Sequence, residues 1–195
     1  MKAYYEARAR EYDDWWLGTG LFAKRDRPGW HEEVEELLAT LEALPPARSL
    51  DVACGTGFLT RHLPGEVSGV DQSPAMLDLA RERVPEARFV RADALALPFG
   101  DRSFERVFTS HFYGHLGLSE RERFLAEARR VAPELVVCDA AIRRGIEREA
   151  VQERMLNDGS RWTVLKRYFS GEELAAELGG GEILHEGDWF LLVRA

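Results

Sequence analysis

The amino-acid sequence predicts a doubly wound α/β sheet. Three observations predict it. Short apolar runs alternate with segments of helical period along most of the 195 residues. The first clear run, Leu50 to Ala53, stops at Gly55 and Gly57, as a buried strand does on entering a glycine turn. The next, Val67 to Val70, ends in Asp71, about 20 residues after Asp51, the usual separation for an acid that grips a ribose diol beyond such a turn.

Taken in order, Met1 to Leu44 reads as two helices joined by a loop at Pro28-Gly29. The first, from Tyr4 to Trp16, is dense in aromatics. The second alternates glutamates with Val34, Leu37, Leu38, Leu41 and Leu44 and ends at Pro45-Pro46. After the first strand, the glycine turn lets a ligand approach the backbone, because glycine has no Cβ to collide with it. A helix is expected to follow with Phe58, Leu59 and Leu63 on one side, its N-terminal N–H groups suited to an anionic ligand group. The glycines do not complete a dinucleotide fingerprint, since Thr60 stands where a third glycine or alanine would be needed.

Val67 to Asp71 is the second strand. Pro74 to Val84 is a helix, with Pro74 in its first turn, Gln72 or Ser73 at its cap, and Met76 and Leu77 toward the sheet or a ligand. Ala87 to Arg91 is a third strand, followed by Asp93. Ser103 to Ser110 is a fourth, followed by the loop His111-Phe112-Tyr113-Gly114-His115-Leu116. Loops at strand C-termini line the ligand crevice of a parallel sheet. A helix opens at Ser119 and closes at Pro133. Leu135 to Asp139, apolar up to its acid, reads as a central strand. Ile142 to Leu156 reads as a charged helix, Asn157 to Ser160 as a turn, and Trp162 to Phe169 as a strand. A short helix starts at Ser170 and ends at Gly179, and Glu182 to His185 with Trp189 to Val193 reads as a final strand or hairpin.

Composition narrows the function. Apolar residues make up 45% and charged residues 31%, as in a soluble globular domain. Acids outnumber bases by 34 to 26, a net charge of −8, which argues against generic nucleic-acid binding. No apolar run is long enough to span a membrane, and the first residues lack a signal-peptide core, so a cytoplasmic location is expected. Cys54 and Cys138 lie in strand-like contexts and read as buried thiols. No Cys/His cluster has metal-ligand spacing.

Three motifs carry a family resemblance. Asp51-Val52-Ala53-Cys54-Gly55-Thr56-Gly57, Val70-Asp71-Gln72-Ser73-Pro74-Ala75-Met76-Leu77, and Phe89-Val90-Arg91-Ala92-Asp93-Ala94 followed by Leu97-Pro98-Phe99 stand in the order and spacing of class I S-adenosylmethionine-dependent methyltransferases. The resemblance is close over positions 45–140. It implies a Rossmann-like, seven-stranded, mostly parallel sheet with an antiparallel last strand and helices on both faces. It divides a single domain, 1–195, into an N-terminal helical cap (1–44), a cofactor-binding core (45–140), and a C-terminal part holding the rest of the sheet and a substrate-side segment (141–195).

The resemblance also implies the roles of residues. Gly55 and Gly57 would admit the methionine end of S-adenosylmethionine, Asp51 would hold its amino group, Asp71 its ribose, and Asp93 with the Ala94 N–H its adenine. Ala53, Gln72, Met76 and Ser110 complete the expected cofactor-binding set, with Tyr12 from a Tyr12-Asp13 pair in the cap. His111, Tyr113 and His115 are the candidates to orient or deprotonate the acceptor. Relatives often carry two histidines before the leucine of this loop, and here only His115 is kept. The expected acceptor is a small molecule, and no metal is expected. Two other readings stay open. One is a module that binds S-adenosylmethionine and S-adenosylhomocysteine without turnover. The other is a nicotinamide-dependent oxidoreductase, against which Thr60 and the Asp93 motif stand.

Overall fold

The computed structural model describes residues 2–195. Met1, where the segment read as helical begins, lies outside the described residues. Strands β1 (Ser49–Val52), β2 (Val67–Asp71), β3 (Arg88–Arg91), β4 (Arg106–Ser110) and β5 (Glu134–Ala140) pair in parallel. A separate antiparallel hairpin, β6 (Glu149–Met155) and β7 (Arg161–Arg167), follows. Strands β8 (Glu182–Glu186) and β9 (Phe190–Arg194) complete a seven-stranded sheet of order β3-β2-β1-β4-β5-β9-β8. β9 runs antiparallel to both its neighbours. The seven strands and the antiparallel last strand are as expected.

Alternation along β4 and β5 divides the core in two, because successive strand residues point to opposite faces. Val107 and Val137 pack with Phe124, Ala128 and Val131 of the helix Leu118–Val131 on one face. Phe108, Val136 and Cys138 pack with Leu37 and Leu41 on the other. Leu37 and Leu41 are fully buried, each contributing about 1.5–3 kcal/mol of apolar burial.

The N-terminal segment is more broken than its pattern suggests. Helix α1 (Lys2–Arg8) passes through a 3-10 turn, Ala9–Glu11, into α2 (Asp14–Leu17), which Gly18 ends in the left-handed conformation. Helix α3 (Trp30–Glu42) is the long amphipathic one. The break at Tyr12-Asp13 has a cause: the Asp13 carboxylate turns away to accept hydrogen bonds from Thr56 Oγ1 at 2.6 Å and from the Arg83 guanidinium.

Two expected helices are absent. The one after Gly57 is reduced to a 3-10 turn, Thr60–His62, and Leu63 is already extended. Pro64 disfavours the helical conformation at Leu63, and Gly65 passes so close to Ala47 that a Cβ there would lie 2.4 Å from its carbonyl oxygen. Phe58, Leu59 and Leu63 still share one buried cluster, as their spacing requires. The charged helix expected at Ile142 to Leu156 is instead β6. Its register with β7 pairs Glu149 with Arg167 and sets Arg161 against Glu153, so its charges serve cross-strand pairing. Gly159, left-handed in the Asn157 to Ser160 turn, closes that hairpin.

Helices α4 (Pro74–Arg83), α5 (Leu118–Val131) and α6 (Gly171–Glu177) form as expected. Ser73 Oγ accepts from the Met76 N–H at 3.2 Å and caps α4. Ser170 and Glu173 cap α6 reciprocally. Both cysteines are buried free thiols. Among the described residues no helix is long and apolar enough to cross a membrane.

Candidate functional site

Register places the site. Val52 lies beside Val70 of β2 and Thr109 of β4, so the three strands end level and the chain leaves the sheet at Ala53, Asp71 and Ser110. The strand order reverses here, between β1 and β4, which is the ligand-binding crevice of a doubly wound sheet. A cavity of about 620 Å³ opens over these ends, well within the range of small-molecule sites.

Of the expected residues, Tyr12, Ala53, Gly55, Asp71, Gln72, Met76, Asp93, Ala94, Ser110, His111 and His115 line this cavity. Asp51, Gly57 and Tyr113 do not. Gly57 is left-handed and lies under α4, where a Cβ would meet Ala80 Cα and Cβ at 3.3 Å, so its glycine serves helix packing. The Tyr113 ring packs on Phe124 and Phe169, and its hydroxyl donates to Glu177 at 3.1 Å. Asp51 lies behind the wall, 2% exposed.

Asp71 is the best-prepared acid on the wall. One carboxylate oxygen accepts from the Gly55 N–H at 3.0 Å, the other from the Ser73 N–H at 2.8 Å. A carboxylate oxygen accepts two hydrogen bonds, so each keeps a free lone-pair direction, as a vicinal diol requires. Burial raises the Asp71 carboxyl above its ordinary range, and the backbone N–H groups of Ser73, Gly55 and Gln72 oppose that rise. Asp93 is exposed, and its Oδ1 accepts from the Leu95 N–H at 2.9 Å and Gln72 Nε2 at 3.1 Å.

Asp51 is held by Thr60, whose hydroxyl donates to its Oδ2 at 2.6 Å. Thr60 therefore has a purpose that a third glycine could not serve. The other oxygen, Oδ1, is buried without a partner. Burial pushes this carboxyl up to about 7, although the Thr60 hydroxyl favours the ionised form. An unpartnered buried acceptor of this kind suits an ammonium donor.

The histidines are held neutral. Burial, with help from Lys166, brings His111 and His115 each down to about 3. His115 Nδ1 donates to the Leu165 carbonyl at 2.5 Å. His111 Nε2 has no partner, and Nδ1 stands 3.8 Å from Asp139 Oδ1, too far for a hydrogen bond. Asp139 is engaged elsewhere. It accepts from Lys166 Nζ at 2.5 Å and the Gly114 N–H at 2.7 Å. Ala53 and His111, each just past the end of a central strand, have φ of 59° and 49°. Such left-handed backbone costs non-glycine residues about 1–3 kcal/mol and clusters at functional sites.

Sequence reasoning missed Tyr5, Ser73, Leu95, Phe112, Glu120 and Leu165 on the same wall. Phe112 could have been found, since its loop was singled out. Tyr5 and Leu165 arrive from the cap and from β7 by tertiary packing that no local pattern records. The cap is pinned over the crevice at two points. Glu6 accepts from Ser73 Oγ and from the Ala75 N–H, and Asp13 holds Thr56 and Arg83. Beside the first cavity lies a second, of about 300 Å³. The two share Tyr5, Tyr12, His111 and His115.

Residues 50–134 match the protein-family model described as "Methyltransferase domain". The chain is 37% identical over 107 residues to the demethylmenaquinone methyltransferase of Thermotoga maritima, covering 52% of this chain and 44% of that protein. It is 42% identical over 95 residues to that of Thermus thermophilus, covering 44% of this chain and 42% of that protein. The chain thus spans less than half the length of these curated relatives. Among solved structures, DhpI in complex with SAH superposes with a TM-score of 0.72 at 27% identity, over 98% of this chain and 92% of that one. A Thermotoga maritima structure described as a possible histamine N-methyltransferase shares the fold, with a TM-score of 0.70 at 22% identity, over 100% of this chain and 98% of that one. Over residues 50–134 the chain is thus similar to methyltransferase domains, and its seven-stranded sheet, with the three motifs at one crevice, has the fold of DhpI in complex with SAH.

Proposed function

We propose that the chain binds S-adenosylmethionine in the first cavity and methylates a small-molecule acceptor held in the second. The observation that carries this is Asp71, both of whose carboxylate oxygens are anchored by backbone N–H groups at the mouth of the strand crevice. The residues present fit the group. Asp71 would take the ribose hydroxyls, and the orphaned Asp51 Oδ1 the amino group, directly or through water. Met76, Leu95 and Phe112 supply apolar wall for a purine, and Asp93 stands beside them with Oδ2 free of the bonds that hold Oδ1. When bound, the cofactor supplies a methyl group on a positively charged sulfur, a leaving group already activated.

The chain's own work is then to position and to exclude water. Tyr5 and Tyr12 roof the junction between the cavities, and the Glu6 and Asp13 contacts hold that roof down. His111 and His115 wall the junction as neutral rings. A base near 3 accepts protons poorly at neutral pH, so we assign them to orienting the acceptor and not to deprotonating it. The names of relatives span quinone, acyl-carrier-protein and lipid acceptors, and the matched segment ends before the β6–β7 hairpin, which contributes Arg154, Val164 and Lys166 to the second cavity. The acceptor is therefore read from this chain's own wall.

The test is thermal unfolding with S-adenosylhomocysteine beside NAD(H), on wild type and Asp71→Ala. Ligand at 100 times its dissociation constant stabilises by about 2.7 kcal/mol. A shift with S-adenosylhomocysteine that Asp71→Ala loses supports the reading. A shift with NAD(H) alone overturns it in favour of an oxidoreductase.

A further inference from the structure

The second cavity has an unusual wall. Arg8, Arg25, Arg27, Arg143, Arg154 and Lys166 face it, and the one acid among its lining residues is the exposed Asp26. Lys166 is paired with Asp139. The five arginines have no carboxylate partner among the described residues. Aromatic faces and neutral acceptors hold them instead. Arg8 donates to Tyr4 Oη at 3.0 Å and lies 4.9 Å from the Tyr12 ring centre. Arg25 lies 4.5 Å from the Phe22 ring. Arg27 donates to the Trp15 carbonyl at 2.9 Å and stands 3.8 Å over Trp30. Arg154 donates to Gln152 at 2.6 Å. Arg143 lies 3.7 Å over Trp189, with one terminal nitrogen buried and unpartnered.

Such a set is not a solvated charged face. The chain carries 34 acids against 26 bases, yet none of those acids among the described residues forms an ion pair with these five, and Arg143 feels acids, Asp188 and Glu33, from a distance. Burial, reinforced by neighbouring guanidinium groups, holds Arg25 and Arg27 below their ordinary range, so the cations work against one another. Gathering cations around a void is costly unless an anion enters it. Guanidinium groups are rigid forks that match carboxylate and phosphoryl oxygens in pairs.

We propose that the second cavity binds a small organic oxyanion, a carboxylate or phosphoryl compound, and that the methyl acceptor belongs to this class. The proposal rests on the cofactor reading above only for the word acceptor; the anion site stands on the arginines alone. It also fits the neutral histidines, since an acceptor oxygen that is already ionised would form its O–C bond as the S–C bond of the sulfonium breaks, S-adenosylhomocysteine leaving with the electron pair on sulfur, and no proton has to be removed.

The test is calorimetric titration of inorganic phosphate and, separately, acetate at constant ionic strength in chloride, with and without S-adenosylhomocysteine. Phenol serves as a neutral probe of the same size class. The expected result is one phosphate or acetate site, weakened about tenfold or more in Arg143→Gln/Arg154→Gln, as the loss of charge-assisted hydrogen bonds requires. Arg123→Gln, exposed on α5, should leave it unchanged. Arg25→Gln, exposed at the cavity mouth, gives the same test should the double variant fail to fold. S-adenosylhomocysteine affinity should be unchanged in all of them. Binding of S-adenosylhomocysteine without either anion, anion binding as tight in the arginine variants, or phenol binding in place of anions overturns the proposal. Arginine-dependent anion binding without S-adenosylhomocysteine binding keeps the anion site and removes the cofactor reading.

Discussion

Asp51→Asn should make the ligand-free protein more stable at high pH and a poorer binder of cofactor. Burial lifts this carboxyl from 3.8 to about 7. The sign follows from linkage. A group whose folded pKa is raised loses stability as pH climbs from its unfolded value through its folded one. The window here runs from about pH 4 to about pH 7, and about three pH units at 1.36 kcal/mol each amount to about 4 kcal/mol. Asparagine carries no such penalty, but it sets an amide where Oδ1 now has no partner, at a cost of about 1–3 kcal/mol. That cost does not depend on pH. The stability difference between variant and wild type should therefore grow by about 4 kcal/mol between pH 4 and 8, whatever its starting value. Urea unfolding across that range measures it. For a chain of this size the corresponding Tm difference widens by about 8–16 °C. In the same variant, affinity for S-adenosylhomocysteine should fall by about tenfold or more, through loss of a charged hydrogen bond. A pH-independent stability difference would refute the account of Asp51 as a buried acid awaiting a cation.

Asp71→Ala should weaken S-adenosylhomocysteine binding by about 100-fold, the loss of two hydrogen bonds to a charged acceptor, read by calorimetry. Asp139→Asn should cost about 3–5 kcal/mol by leaving Lys166 buried and unpaired, and a Tm drop of less than a few degrees would show that pair to be dispensable. The rate of methyl transfer between pH 5 and 8 should carry no step from His111 or His115, since both titrate near 3; a limb near 6.5 that disappears in His111→Asn would contradict this. Gly57→Ala should lower stability by about 1–2 kcal/mol, from left-handed strain and the contact with Ala80, while changing cofactor affinity little.

What was legible in the sequence was local. Strands β1, β2, β4 and β5 announce themselves as apolar runs, and the spacing of Gly55 and Asp71 predicts the turn and the acid that meet on the wall of one crevice. The structure departs from the local pattern where a partner distant in sequence decides the outcome. Glu149 to Met155 has mixed charge and apolar residues that suit a helix as well as a strand, and only β7 across the turn selects the strand. The helix after Gly57 is cut short by Pro64 and by the backbone of Ala47, which lies beside Gly65 only in the folded chain. Tyr113 and His115 stand two apart in one 3-10 turn. The pattern cannot say which faces the cavity, and packing against Phe124 and Phe169 takes Tyr113 inward.

The arginine wall shows the same limit at larger scale. Arg8, Arg25 and Arg27 come from the cap, Arg143 and Arg154 from the segment after β5, and none of them falls within residues 50–134. Each alone reads as an ordinary surface charge. Brought together, they form a wall whose chemistry the matched domain does not supply. Tyr12 belongs to both cavities, and the neighbouring Asp13 ties it to Thr56 in the glycine turn and to Arg83 on α4. The segment that closes the first cavity is thus the segment that carries three of the five arginines. A change in the Asp13 contacts should be felt in both cavities, whereas a change at Arg143 or Arg154, which line the second cavity and not the first, should be felt in the second alone.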